Sequence, residues 1–107
     1  MWESKTFQQL TTSELFKIYY LRGRVFVAEQ QRALNDVDQH DLQAIHVMNF
    51  VNEELICYAR IFTENDHVTF GRVVIAPEFR GQGHGTTLLQ KIMATIKEYF
   101  PGNKIEI

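Results

Sequence analysis

The residues best equipped for chemistry lie in one stretch, Val73-Val74-Ile75-Ala76-Pro77-Glu78-Phe79-Arg80-Gly81-Gln82-Gly83-His84-Gly85-Thr86. An apolar run ends at Pro77, and Gly81, Gly83 and Gly85 follow at alternate positions. Leu88, Leu89, Ile92, Met93, Ile96, Tyr99 and Phe100 then recur at helical spacing. The pattern predicts a strand, a glycine loop and a helix. The first amides of a helix have no partner within it, and the helix dipole places partial positive charge there. Glycines let an anion approach the main chain, and Arg80 adds a full positive charge. The stretch therefore predicts a site for a phosphate-bearing ligand.

Two common phosphate loops do not fit. A nucleotide-triphosphate loop ends in Gly-Lys-Ser/Thr, whereas this one ends Gly83-His84-Gly85-Thr86 with no lysine. A dinucleotide loop has G-x-G-x-x-G spacing; here it is G-x-G-x-G, and no strand with an acidic end follows at the required distance. What remains, Arg80-x-x-Gly83-x-Gly85 after a strand ending in Pro77, resembles motif A of the GNAT superfamily, the acyl-CoA-dependent N-acetyltransferases. A second stretch is Leu21-Arg22-Gly23-Arg24-Val25-Phe26-Val27-Ala28-Glu29-Gln30, followed by Asp36-x-Asp38-x-x-Asp41 and then His46. It resembles the ElaA-like branch of that superfamily, and Gly71-Arg72-Val73-Val74 fits the same branch. The resemblance runs from Trp2 to the last residue.

The resemblance implies an N-acetyltransferase. A primary amine, on a small molecule or a protein, would attack the thioester of acetyl-CoA directly in a ternary complex. That reaction needs donors for the developing oxyanion, a route for the amine proton and an acid for the thiolate. The pantetheine arm would run beside the motif-A strand like an added strand, against Val73, Val74 and Ile75. The Val73 amide would be the oxyanion donor. The pyrophosphate would sit on the loop from Arg80 and Gly81 through Gln82, Gly83, His84 and Gly85 to Thr86. Some members carry a glutamate six residues before the position of Ile75, but here that position is Thr69. Glu29 and His46 are left as candidate bases, acting directly or through water. Each also has a plain structural reading: Glu29 pairing with Arg32, and His46 as a half-buried strand residue. Arg22 and Arg72 are the candidates for substrate contact. Arg22 reads first as half of an internal salt bridge with an acid of the next loop, and substrate contact is its functional alternative. Cys57 alone in a strand reads as a packed thiol rather than a nucleophile.

Composition sets the frame for these residues. The 107 residues allow one domain, and 45% hydrophobic with 22% charged residues is ordinary for a globular chain. A net charge of -2 gives no basic surface for nucleic acid or an anionic membrane. The single cysteine excludes a disulfide framework and a cysteine-based zinc site. No apolar stretch approaches a membrane span and Met1 to Phe7 has no signal-peptide character, so the expected compartment is the cytoplasm. Asp36, Asp38, His40 and Asp41 invite a metal, but no glycine stands at the turn of a calcium loop and no glutamate closes it, so none is expected.

The elements that must position these groups can be read in order. Trp2 to Phe7 alternates and predicts a strand. Thr11-Thr12-Ser13-Glu14 is a capping box, and the helix after it places Leu15, Ile18, Tyr19, Val25 and Phe26 on one stripe. Glu29 to Asp41 is polar and predicts a loop with one helical turn. Strands follow over Ala44 to Val51, Leu55 to Phe62 and His67 to Ala76, joined by turns short enough to require antiparallel pairing. Pro101-Gly102 stops the motif-A helix, and Lys104 to Ile107 begins a strand parallel to the motif-A strand. The fold class is therefore α/β: a mixed, mostly antiparallel sheet flanked by helices. The resemblance implies that the family's domain continues with a further helix and strands, where many members carry a tyrosine that protonates the thiolate. No residue here matches that tyrosine, and Tyr99 belongs to the helical stripe. The expectation is one domain over 1-107 lacking that last part, either a truncated form or one whose sheet another chain completes, with exposed apolar surface and either self-association, for which a homodimer is the candidate form, or poor stability. A non-catalytic acyl-CoA-binding module is the alternative reading.

Overall fold

The computed structural model describes residues 1-29 and 36-107, with the backbone alone at 28 and 29. The first part of the polar loop, including Gln30 and Arg32, lies outside the described residues. The described elements are β1 (Trp2–Thr6), α1 (Thr12–Arg22), a π-helical continuation (Gly23–Glu29), α2 (His40–Gln43), β2 (Ile45–Val51), β3 (Glu54–Glu64), β4 (His67–Ile75), α3 (His84–Tyr99) and β5 (Lys104–Ile105). The strands form one sheet in the order β1-β2-β3-β4-β5. The first three pairings are antiparallel. β5 lies parallel to β4, with Ile105 opposite Val68, as the strand-helix-strand pattern predicted.

Local chemistry accounts for the element ends. The Glu14 amide donates to Thr11 Oγ1 at 3.1 Å, and the Thr11 amide donates to Glu14 Oε1 at 2.8 Å, so the capping box forms reciprocally. Asn52 and Glu53 both hold positive φ, at 50° and 66°, which gives the tight two-residue turn between β2 and β3. Asparagine tolerates this region readily, whereas glutamate enters it rarely. Lys17 Nζ donates to the Glu53 carbonyl at 2.6 Å and helps to hold it there.

The helices cover opposite faces of the sheet. Lys5 points to one face and binds Glu14 of α1 at 2.8 Å. Its neighbour Ser4 points to the other and meets Thr95 of α3, oxygen to oxygen, at 3.0 Å. Ile18, Leu21, Val25 and Phe26 are buried on the first side, and Leu88, Ile92 and Ile96 on the second. Leu89, Met93 and Tyr99, which the helical spacing also placed on the stripe, are exposed. The helix after Arg22 widens into a π-helical segment where one continuous α-stripe was expected. Gly23 at that junction has no Cβ to resist the wider turn.

Thr11→Ala removes the oxygen that accepts from the Glu14 amide. It should lower stability by about 1 kcal/mol in urea unfolding. An unchanged midpoint would show that the cap does not support α1.

Candidate active site

The loop between β4 and α3 has the geometry of an anion cradle. Gly81 and Gly83 take φ of 77° and 85°, values that side chains with a Cβ rarely adopt. Gly83 is the residue before α3, so the amides of the first turn, from His84 onward, open onto the loop. Gly81, Gln82, Gly83, Gly85 and Thr86 are all exposed. Gly85 differs from the other two: its φ is ordinary, and a Cβ there would meet Ile75 Cδ1 at 3.6 Å, a normal packing distance. The Arg80 side chain turns back so that its Nε donates to the Ile75 carbonyl at 3.2 Å. The predicted phosphate loop is thus one surface, with Ile75 beside it.

Upstream, β4 is broken by a bulge. Tyr58 lies opposite Val74 and Arg60 opposite Gly71, so Ala59 faces both Arg72 and Val73. Arg72 holds φ of 51°. β5 pairs with β4 only at His67 and Val68, so beyond them no described strand covers the outer edge of Gly71 to Ile75. Val73 stands on that stretch with 45% of its surface exposed, while Val74 is buried.

The charged residues singled out from the sequence converge behind the bulge. Arg22 is 0% exposed. Its Nε donates to Asp36 Oδ2 at 3.0 Å and its Nη1 to Asp41 Oδ1 at 2.7 Å, and Nη2 also bonds the Asp36 carbonyl. This is the internal-pairing reading; with no exposed surface, Arg22 has nothing to offer a substrate. Arg60 Nη1 donates to Asp38 Oδ1 at 2.7 Å and to Asp41 Oδ1 at 3.0 Å. Arg72, the other candidate for substrate contact, is also engaged: its Nη2 donates to the Asp36 carbonyl at 3.1 Å, and its Nε lies 2.9 Å from Asp36 Oδ1. Arg24 lies apart and pairs with Glu78 at 2.6 Å.

Three guanidinium groups thus face three carboxylates, and their formal charges cancel. Hydrogen bonds from Arg60 pull Asp38 down to about 2, against the effect of partial burial. Burial pushes Asp41 up, but the hydrogen bonds and charges of Arg22 and Arg60, with the Asp38 amide, together outweigh it and leave Asp41 lowered. These acids are therefore neutralised from within and are not free to attract a cationic acceptor. Among the described residues no group of histidine, cysteine and acidic side chains could hold a metal ion. Sequence reading missed Arg60 and Tyr58. The available signal was a lone arginine within the otherwise apolar run Leu55 to Phe62.

His46 does not lie in a cleft. It is 0% exposed. Its Nε2 is 2.9 Å from the Asp41 carbonyl, which can only accept, so Nε2 carries the proton. Nδ1 then accepts from the Tyr58 hydroxyl at 2.6 Å. With both nitrogens engaged and no surface exposed, His46 cannot take a proton directly from an amine. Burial pushes its pKa below 6.5, partly offset by the Asp41 carbonyl. The side chain of Glu29 lies outside the described residues. Cys57 is buried beside Asn49, and burial pushes its thiol up, which suits a packed residue.

Comparison with known proteins matches residues 10–106 to the acetyltransferase (GNAT) family model. The chain belongs to the GNAT acetyltransferase family. It is 40% identical to a UPF0039 protein of Schizosaccharomyces pombe over 94% of this chain and 68% of that protein. It is 32% identical to ElaA of Escherichia coli over 97% of this chain and 71% of that protein. The ElaA crystal structure superposes with a TM-score of 0.92 over 98% of this chain and 74% of ElaA. A Pseudomonas aeruginosa protein described as an acyl-CoA N-acyltransferase superposes with a TM-score of 0.93 at 30% identity, over 98% of this chain and 75% of that one. The membership, the ElaA-like branch and the mixed sheet agree with what the motifs implied. No helix among the described residues is long and apolar enough to cross a membrane.

The burial of His46 has a consequence for pH dependence. Its folded pKa lies below its unfolded value of 6.5, so as pH falls the unfolded chain takes up the proton first. The stability this group contributes is complete above 6.5 and is lost as pH falls through the folded value. Urea unfolding at stepped pH should show that decline. His46→Gln, which keeps a donor and an acceptor but cannot titrate, should flatten it. Asp38 adds a separate loss, beginning below 3.8 and running toward about 2. An equally steep decline below 6.5 in the glutamine variant would assign the effect to another group.

Proposed function

We propose that the chain moves an acetyl group from acetyl-CoA to a primary amine by direct attack in a ternary complex. The observation that carries this reading is a juxtaposition. The anion cradle at Gly81 to Thr86 opens beside the stretch of β4, Gly71 to Ile75, whose outer edge has no strand across it among the described residues. A ligand with a pyrophosphate at one end and an extended amide-bearing arm suits both features. The phosphates take the helix-start amides and Arg80, and the arm takes main-chain bonds from Val73 to Ile75 as an added strand would.

In this mechanism the amine lone pair attacks the thioester carbonyl carbon. The C–N bond forms as the carbonyl oxygen takes up negative charge, and the Val73 amide donates to that oxygen. Collapse of the tetrahedral species breaks the C–S bond and releases the CoA thiolate, which takes its proton from water. The amine proton departs through water to a carboxylate, and Glu29 is the candidate, since both nitrogens of His46 are engaged in the core. The acceptor is an amine of a small molecule or a protein.

Calorimetric titration of acetyl-CoA tests the cradle. Gly83→Val should abolish binding, because valine resists the φ of 85° that Gly83 adopts. Gly85→Ala, at an ordinary φ and with normal packing distance to Ile75, should bind like the parent. Arg80→Ala should weaken binding by about fivefold, as fits an exposed charge beside main-chain donors. The parent's affinity should also fall with added salt more steeply than that of the Arg80 variant. If the parent does not bind, or Gly83→Val binds equally well, the phosphates do not sit in this loop and the reading fails.

A further inference from the structure

A residue with a Cβ at positive φ is held there by its surroundings, at a cost of order 1 kcal/mol or more. Arg72 is such a residue, with φ of 51° in the middle of β4. Its predecessor Gly71 could adopt that conformation at no steric cost, yet its φ is not in the positive range. The left-handed position is therefore occupied by a residue that needs support, and the support is visible. Arg72 Nε and Nη2 donate to the Asp36 carbonyl at 3.3 and 3.1 Å. Nε also lies 2.9 Å from Asp36 Oδ1 as an ion pair, an oxygen that accepts no hydrogen bond among the described residues, and Nη2 lies 3.5 Å from Asp38 Oδ2. Those aspartates are anchored in turn. Arg22 Nε donates to Asp36 Oδ2 at 3.0 Å, and Arg60 Nη2 to Asp38 Oδ2 at 2.9 Å.

We propose that Arg72 is a positioning residue: its pairing with Asp36 and Asp38 holds the β4 bulge in the conformation that aims the Val73 amide at the thioester carbonyl. The backbone angles of Arg72 set the plane of the peptide that carries the Val73 N–H. A bulge re-aims such groups on the strand that bears it. Arg72 itself touches neither the ligand nor the reacting atoms. It acts from behind, with only 17% of its side chain exposed. The inference rests on the acetyl-CoA reading of this site, and the two can fail separately.

The test uses acetyl-CoA labelled with carbon-13 at the acetyl carbonyl, bound to the full chain and observed by NMR. A donated hydrogen bond displaces the carbonyl resonance downfield of its value in free acetyl-CoA. Arg72→Met removes the pairing and keeps the φ cost; Arg72→Gly removes the pairing and the φ cost together. Both variants should bind unacetylated CoA within about twofold of the parent, because among the described residues Gly81 to Thr86 share no hydrogen-bond or ion-pair partner with Arg72. The methionine variant should lose the downfield displacement, and the glycine variant, which takes a positive φ without support, should keep it. The glycine variant keeps the test open should the methionine variant fail to fold. A folded methionine variant whose bound carbonyl resonates where the parent's does, or a folded glycine variant that loses the displacement, would overturn the role of Arg72. A parent that binds CoA but shows no displacement would overturn the aim of the Val73 amide, and a parent that binds neither ligand would instead sink the acetyl-CoA reading.

Discussion

The interior depends on mutual neutralisation of three arginines and three aspartates drawn from distant parts of the chain. Arg22 comes from α1, Arg60 from β3, Arg72 from β4, and Asp36, Asp38 and Asp41 from the segment that runs into α2. Desolvating such charges is costly, and the Coulomb gain offsets that cost only when the geometry is nearly complete. Removing one member leaves its partners buried and unpaired, so the cluster favours a single arrangement more than it adds net stability. The rings of Tyr19 and Tyr58 lie 5.4 and 5.8 Å from the Arg22 guanidinium and complete its enclosure. Everything on the α1 side of the sheet is therefore referenced to the same few atoms, including the break in β4.

The other half of the candidate site depends on backbone alone. The cradle before α3 consists of amides and two left-handed glycines, and the helix behind it is fixed by Leu88, Ile92 and Ile96 against the sheet. One half is set by charge and the other by packing, and they meet on β4. That division explains why the glycine loop can stand open to solvent while the bulge a few residues upstream is tied so closely to the interior.

This division also explains what the sequence made legible. The glycine loop, the capping box at Thr11, the short turns and the motif-A helix are local signals, and each element lies within a few residues of its expected place. The family resemblance was legible for the same reason, because its motifs are contiguous. The partners of Arg22 were half legible: an acid of the following loop was expected, but Arg60 and Arg72 reach the same acids from strands that are remote in sequence. His46 read as a half-buried strand residue or a base. Its full enclosure depends on Tyr58 and the Asp41 carbonyl, which no spacing rule brings together. Positive φ at Arg72 had no signal either, since Gly71 beside it is the residue a local rule would choose.

The N-terminal strand carries a different implication, for the order in which the molecule assembles. β1 pairs with β2, and the Met1 amino group reaches Asn49 Oδ1 across 48 residues of chain. β2, β3 and β4 are joined by hairpins and can zip locally, whereas β1 must close a long loop before any of its bonds form. During synthesis β1 emerges well before the strand it pairs with and must wait for it. It waits for β2 on its edge and for Thr95 of α3 beneath Ser4, so this end of the sheet is completed only after α3 has been made.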